Sequence, residues 1–164
     1  MMEIIDVDVL VVGSGAGGLT AAITAHDNGG NALVVEKSDL YGATSATSGG
    51  GIWIPCNHLM AAHGQSDSPE AALSYLKACI GDDVAEERLV RYVDQAPKML
   101  KFLEEKSHVK FVSTPYADYF PDKDGGKDGW RTLDPVPLSA TKLKKEFLLK
   151  ELGLVLVELV LLRH

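Results

Sequence analysis

The sequence predicts an α/β fold built on parallel strands, and three observations predict it. A valine-rich run, Val7 to Val12, leads straight into Gly13, Gly15 and Gly18, spaced G-x-G-x-x-G. Helix-forming residues follow, and a second aliphatic run, Ala32 to Val35, ends on Glu36. Strand, glycine turn, helix and strand within about thirty residues is the size of one βαβ crossover.

Each element follows from its residues. Val7 to Val12 is apolar except for Asp8 and bounded by glycine, the pattern of a strand buried on both faces. Leu19 to His26 carries apolar residues at helical spacing, with Gly29 and Gly30 where a left-handed cap is wanted. Lys37 to Gly51 is dominated by Ser, Thr, Ala and Gly and reads as an ordered loop. Ser68, Pro69 and Glu70 read as an N-cap and first turn, with Leu73, Leu76 and Ile80 as the apolar face up to Gly81. Asp83 to Lys106 repeats the helical pattern with Leu89, Val93, Leu100 and Leu103, and Pro97 is expected to break it into two helices. Val109 to Val112 reads as a strand, and Pro115 to Pro137, rich in proline and glycine, as an irregular excursion. From Phe147 the chain is largely aliphatic but interrupted by Lys150, Glu151 and Glu158, a segment that expects a partner surface and through which the chain could associate with itself. No internal repeat is evident.

Composition narrows the function classes. The 164 residues are 46% hydrophobic, which suits one core, so one domain or a piece of a larger one is expected. Sixteen Lys and Arg against 23 Asp and Glu give a net charge of -7, with no basic stripe to track a phosphate backbone. Nucleic acid is therefore not an expected partner. Cys56 and Cys79 form no CxxC, and His58 and His63 have no ligand-spaced Cys or acid beside them, so neither a disulfide framework nor a metal site is indicated. Residues before Val12 carry three acids and no basic residue, unlike a signal peptide, and the expected location is the cytoplasm.

The glycines carry the chemistry. Gly13 permits a tight turn, Gly15 lets the main chain approach a pyrophosphate, and Gly18 lets the helix pack close to the strand. Phosphate would then meet the amides and positive dipole end of the helix. Glu36, eighteen residues beyond Gly18, stands where an acid accepts hydrogen bonds from ribose hydroxyls, and its charge repels a 2'-phosphate, which disfavours NADP. Gly42 to Gly51, "GATSATSGGG", supplies a second set of hydroxyls and bare amides that could return to the same pyrophosphate. This second stretch favours FAD over NAD.

At this point the residues resemble a known family. "VVGSGAGG", "VVEKSDLYGATSATSGGGIWIP", with Asn57 two residues further on, and "DYF" followed by "RTLDP" are similar to the N-terminal part of the flavoproteins related to fumarate reductase and succinate dehydrogenase, most nearly the 3-ketosteroid 1-dehydrogenases. The resemblance covers about residues 7 to 143. It implies a Rossmann-like, three-layer FAD-binding domain, left incomplete because family members are much longer. It further implies FAD held by the run Gly13, Ser14, Gly15, Ala16, Gly17 and Gly18, by Glu36 and Lys37 at the adenosine side, by Thr44 and Ser45 at the pyrophosphate, and by Ser48, Gly49 and Gly50 beside the flavin ring. Where the family has two glycines this chain has Gly42 and Ala43, a methyl group expected to crowd the turn yet be tolerated.

The resemblance also implies an activity. Such enzymes pass a hydride from carbon 1 of a 3-ketosteroid to the flavin N5 while a tyrosine takes the proton from carbon 2, and Tyr119, in the "DYF" segment, would line the substrate pocket and support that tyrosine. The proton-abstracting tyrosine, the groups that polarise the 3-keto oxygen and the last flavin-binding region have no counterpart in this chain. By this reading residues 1–145 are the N-terminal portion of an FAD-binding domain, with a helical excursion over about 68–106, and 146–164 form a tail unlike the family. Two other readings stay open: a non-catalytic, truncated nucleotide-binding module, and a fumarate reductase-like dicarboxylate oxidoreductase. Outside the glycines, Trp53 reads as core filling before ring cover, Cys56 as a small apolar residue, and the acids Asp82, Asp83, Glu86 and Glu87 as a solvated start of a helix.

Overall fold

A computed structural model describes residues 4–137. They divide into two compact units, one of residues up to Gly50 with Glu105–Val109, the other of Gly51–Glu104 and Lys110–Val136.

The first unit contains the βαβ crossover. Strand β1 (Val9–Val12) runs parallel to β2 (Ala32–Val35), with Val9 opposite Ala32 and Val12 opposite Val35, and helix α1 (Ala16–Asp27) joins them. Gly29, at φ +82, turns the chain after α1 as the sequence requires. Only Val11 of β1 is buried, close under Gly18 of α1, whereas Leu10 and Val12 are 58% and 81% exposed. The expectation of a strand buried on both faces is thus corrected. Among the described residues only β2 pairs with β1, and α1 covers only the side on which Val11 lies. The stretch expected to be a loop, Lys37 to Gly51, also contains a short helix, α2 (Ala43–Thr47). Its Ala46 packs with Tyr41 against Leu19, and that contact folds a segment whose composition alone is indifferent.

The second unit is an antiparallel sheet packed on a long helix. Strand β5 (Thr132–Pro135) lies between β3 (Ile52–Trp53) and β4 (Phe111–Ser113). Leu133 of β5, Ile54, and Ala96 and Leu100 of α4 (Glu86–Lys106) form its core, with Ile52, Leu59, Met99 and Phe111 around them. Three sequence expectations change here. Pro97 does not split α4, which runs unbroken through it: the proline removes one backbone donor, but Leu89, Val93, Ala96 and Leu100 keep one face anchored on both sides. The excursion 115–137 ends in a true strand, β5, because its backbone finds partners on two edges. In helix α3 (Pro69–Ile80) the buried residues are Ala72 and Tyr75 instead of Leu73, Leu76 and Ile80, although its start is as expected: the Ser68 hydroxyl accepts from the Ala71 N–H at 3.1 Å.

Among the described residues no helix is long and apolar enough to cross a membrane. The aliphatic stretch from Phe147 lies outside the described residues.

Candidate functional site

The two glycine-rich stretches meet in the first unit. The turn after β1 is built on Gly13, at φ +99, and the helix must pass so close that a Cβ on Gly18 would stand 2.1 Å from the Gly13 carbonyl oxygen. Glycine at 18 is therefore obligatory on packing grounds. At Gly13 and Gly17, by contrast, nothing stands within 4 Å of where a Cβ would lie. The same turn is tight toward the strand and open elsewhere.

Ser14 is the centre of the hydrogen bonding. It is buried, and its hydroxyl donates to Glu36 Oε2 at 2.6 Å and accepts from the Gly42 N–H at 2.8 Å, while its own N–H donates to the same Oε2 at 3.0 Å. Glu36 Oε1 accepts from the N–H groups of Lys37 at 2.8 Å and Ser38 at 3.1 Å. These donors, the Ser14 hydroxyl foremost, hold the Glu36 carboxyl down at a pKa of about 2, so a negative charge is fixed at the end of β2. The second stretch closes on the first helix, for the Ser45 hydroxyl accepts from the Ala16 N–H at 3.1 Å. Gly42, at φ +97, makes the turn that brings it there.

Of the residues expected to hold a cofactor, Gly13, Ser14, Gly15, Ala16, Gly18, Glu36 and Ser45 are thus brought together, with Gly42 joining them through its N–H. Lys37 takes part through its backbone N–H, and its side chain is exposed. Thr44 is exposed on α2, and Ser48 caps that helix, its hydroxyl accepting from the Gly50 N–H at 3.1 Å. Nothing stands within 4 Å of a Cβ placed on Gly49. The donor set fits a dinucleotide: backbone amides at the N-terminus of a twelve-residue helix, hydroxyls beside them, and a fixed carboxylate for ribose hydroxyls.

Tyr119 belongs to the second unit and is 94% exposed, its ring next to that of Phe120. Its neighbour Asp118 is the buried member of the "DYF" segment. Asp118 accepts from Trp53 Nε1 at 2.6 Å, from the Lys127 N–H at 3.0 Å and from Arg131 at 2.8 Å. Arg131, fully buried, also forms two 2.8 Å hydrogen bonds to Asp67 and lies 5.5 Å from the Trp53 ring and 5.7 Å from that of Tyr75. Burial opposes the charge of Asp67, but the hydrogen bonds from Arg131 and from the Cys56 N–H hold its carboxyl below its usual range. Sequence reasoning missed this Asp67, Arg131 and Asp118 cluster. Its members are far apart in the chain, and the only signal was charge inside otherwise glycine- and proline-rich sequence.

The remaining candidates take structural places. Trp53 packs between Tyr75 and Tyr92, and the Tyr92 hydroxyl donates to the Trp53 carbonyl. Burial, then the Asp67 carboxylate, push the Cys56 thiol up, the opposite of a reactive thiolate. His58 is exposed and lies 2.9 Å from Glu104, and the His63 ring stacks on that of Trp130 with centroids 4.2 Å apart. Asn57 is buried and donates to the carbonyls of Ile54 and Trp130. No group of three or more metal-binding side chains occurs among the described residues.

Comparison with known proteins adds an independent finding. Residues 8–146 match the family model described as FAD binding domain. The chain is 43% identical over 143 residues to a 3-oxosteroid 1-dehydrogenase of Mycobacterium tuberculosis, covering 87% of this chain and 25% of that protein. It is 46% identical over 137 residues to one of Mycolicibacterium smegmatis, covering 83% of this chain and 24% of that protein. The crystal structure of a 3-ketosteroid delta1-dehydrogenase from Sterolibacterium denitrificans, in complex with 1,4-androstadiene-3,17-dione, superimposes with a TM-score of 0.80 and 45% identity, covering 87% of this chain and 25% of that one. This chain spans about a quarter of the length of the relatives it matches.

Proposed function

The chain belongs to the FAD-binding domain family, and on that premise we propose that it is the cofactor-binding part of an oxidoreductase that dehydrogenates a 3-ketosteroid or a similar enone. The observation that carries the proposal is the 43–46% identity to 3-oxosteroid 1-dehydrogenases over most of this chain. The fumarate reductase-like reading is weaker on the same ground.

FAD, when bound, supplies the acceptor of an electron pair. This chain's residues supply placement. In the proposed role the Gly13 to Gly18 turn and the amino end of α1 receive the pyrophosphate, Glu36 receives adenosine ribose hydroxyls, and Thr44 and Ser45 add hydroxyls to the pyrophosphate side. Ser48, Gly49 and Gly50 would border the flavin ring. Tyr119, whose exposed hydroxyl is unencumbered by burial, would face substrate and support proton removal. The support for Tyr119 is its place in the "DYF" segment. The Rossmann-like three-layer sheet is likewise part of the proposal, with β1, α1 and β2 as its first crossover.

A visible absorption spectrum of the purified chain, incubated with excess FAD and desalted, tests the proposal. Retained flavin bands shifted from those of free FAD are expected. A colourless protein would show that this chain does not hold the cofactor by itself.

A further inference from the structure

We propose that Ser14 is a positioning residue of the cradle: its hydroxyl joins the Glu36 carboxylate to the Gly42 turn and so sets both in the geometry that receives the dinucleotide. The inference rests on the FAD reading above. It differs from the sequence expectation, in which Ser14 itself holds the cofactor.

A serine hydroxyl has one proton to donate and two lone pairs to offer. In this structure the proton goes to Glu36 Oε2 at 2.6 Å, and a lone pair takes the Gly42 N–H at 2.8 Å. The side chain is buried, at 3% exposure, so it acts inside the protein. Three segments depend on it. Ser14 ends the turn after β1, Glu36 ends β2, and Gly42 begins the turn that carries the Ser45 hydroxyl to the Ala16 N–H. Gly42 is itself buried, so without Ser14 its N–H would lose its acceptor where water does not readily replace it. Glu36 would keep the Ser14 N–H on Oε2 and the Lys37 and Ser38 N–H groups on Oε1 but lose the shortest of its four hydrogen bonds, so its carboxylate would be held less tightly toward a ribose. An alanine in this position keeps the glycine motif intact and removes only the link.

The test uses the full chain with Ser14→Ala, Glu36→Gln and the double variant, read by quenching of FAD fluorescence and, without FAD, by amide hydrogen exchange at Gly42. Ser14→Ala is expected to weaken FAD binding about tenfold, the size of one lost hydrogen bond to a charged group. In the Glu36→Gln background the same change is expected to cost less than about threefold, because the partner through which Ser14 acts is already altered. Exchange at Gly42 should accelerate about tenfold or more while amides of the β1 and β2 pairing keep their protection. Equal costs in both backgrounds, or unchanged FAD binding and unchanged Gly42 exchange, would overturn the proposal. Ser14→Cys, with similar size and a weaker donor, covers the case that alanine does not fold: an intermediate loss supports the link, and wild-type behaviour contradicts it. If the unaltered chain fails to quench FAD, the cofactor reading is what fails, and Gly42 exchange then decides the link by itself.

Discussion

Ala43 is the residue at which backbone and side chain disagree most plainly. It sits at φ +48 and is exposed, so its methyl group does not crowd the turn as the sequence suggests; the conformation itself is what costs. A left-handed residue other than glycine costs about 1–2 kcal/mol, and glycine's extra freedom in the unfolded chain returns roughly 0.5–1 kcal/mol of that. Ala43→Gly is therefore expected to stabilise the chain by about 0.5–1 kcal/mol, seen as a higher urea midpoint at unchanged slope. Glu36 makes a second prediction. Its pKa is lowered from 4.5 to about 2, so its contribution to stability is complete above about pH 4.5 and is lost as pH falls through about 2. The stability gap between the protein and Glu36→Gln should shrink as pH drops from about 7 toward about 3, and a constant gap would contradict this. Glu36 was readable in the sequence from its spacing alone. The role of Ser14 was not, because the motif leaves that position unspecified.

At the scale of elements, tertiary packing overrode two local signals. Pro97 is a breaker by its chemistry, yet α4 is continuous because four residues of one face are buried along its length. Thr132 to Pro135 has no strand pattern of its own, and it becomes the middle of a sheet because β3 and β4 offer it both edges. The Asp67, Arg131 and Asp118 cluster ties this region together, joining the residue before the α3 cap, the segment leading into β5 and the loop that carries Tyr119. Arg131→Met would leave two buried carboxylates without their shared cation, and a loss of about 3–5 kcal/mol is expected in urea unfolding. A loss below about 1 kcal/mol would show that the cluster is hydrated and weak.

The whole molecule shows aliphatic surface where its relatives are several times longer. Among the described residues, Leu10 and Val12 of the β1–β2 sheet are 58% and 81% exposed and Ile4, ahead of it in the chain, is 80% exposed, and covering each such side chain is worth about 1.5–3 kcal/mol. The isolated chain is accordingly expected to associate as its concentration rises, measured by light scattering, and Leu10→Thr with Val12→Thr should reduce it. A monomer at all concentrations would argue against this. What the sequence determined by itself was the β1, α1, β2 crossover with its glycine turn and terminal acid. Strand, turn, helix and strand are each specified by neighbours a few residues away, and the acid follows at a fixed spacing. Only the tertiary structure decided that Ser14 bridges to Gly42, that β5 is a central strand and that Arg131 is buried between two carboxylates. Those contacts join residues from 13 to 81 positions apart, and no local periodicity encodes a partner at such a distance.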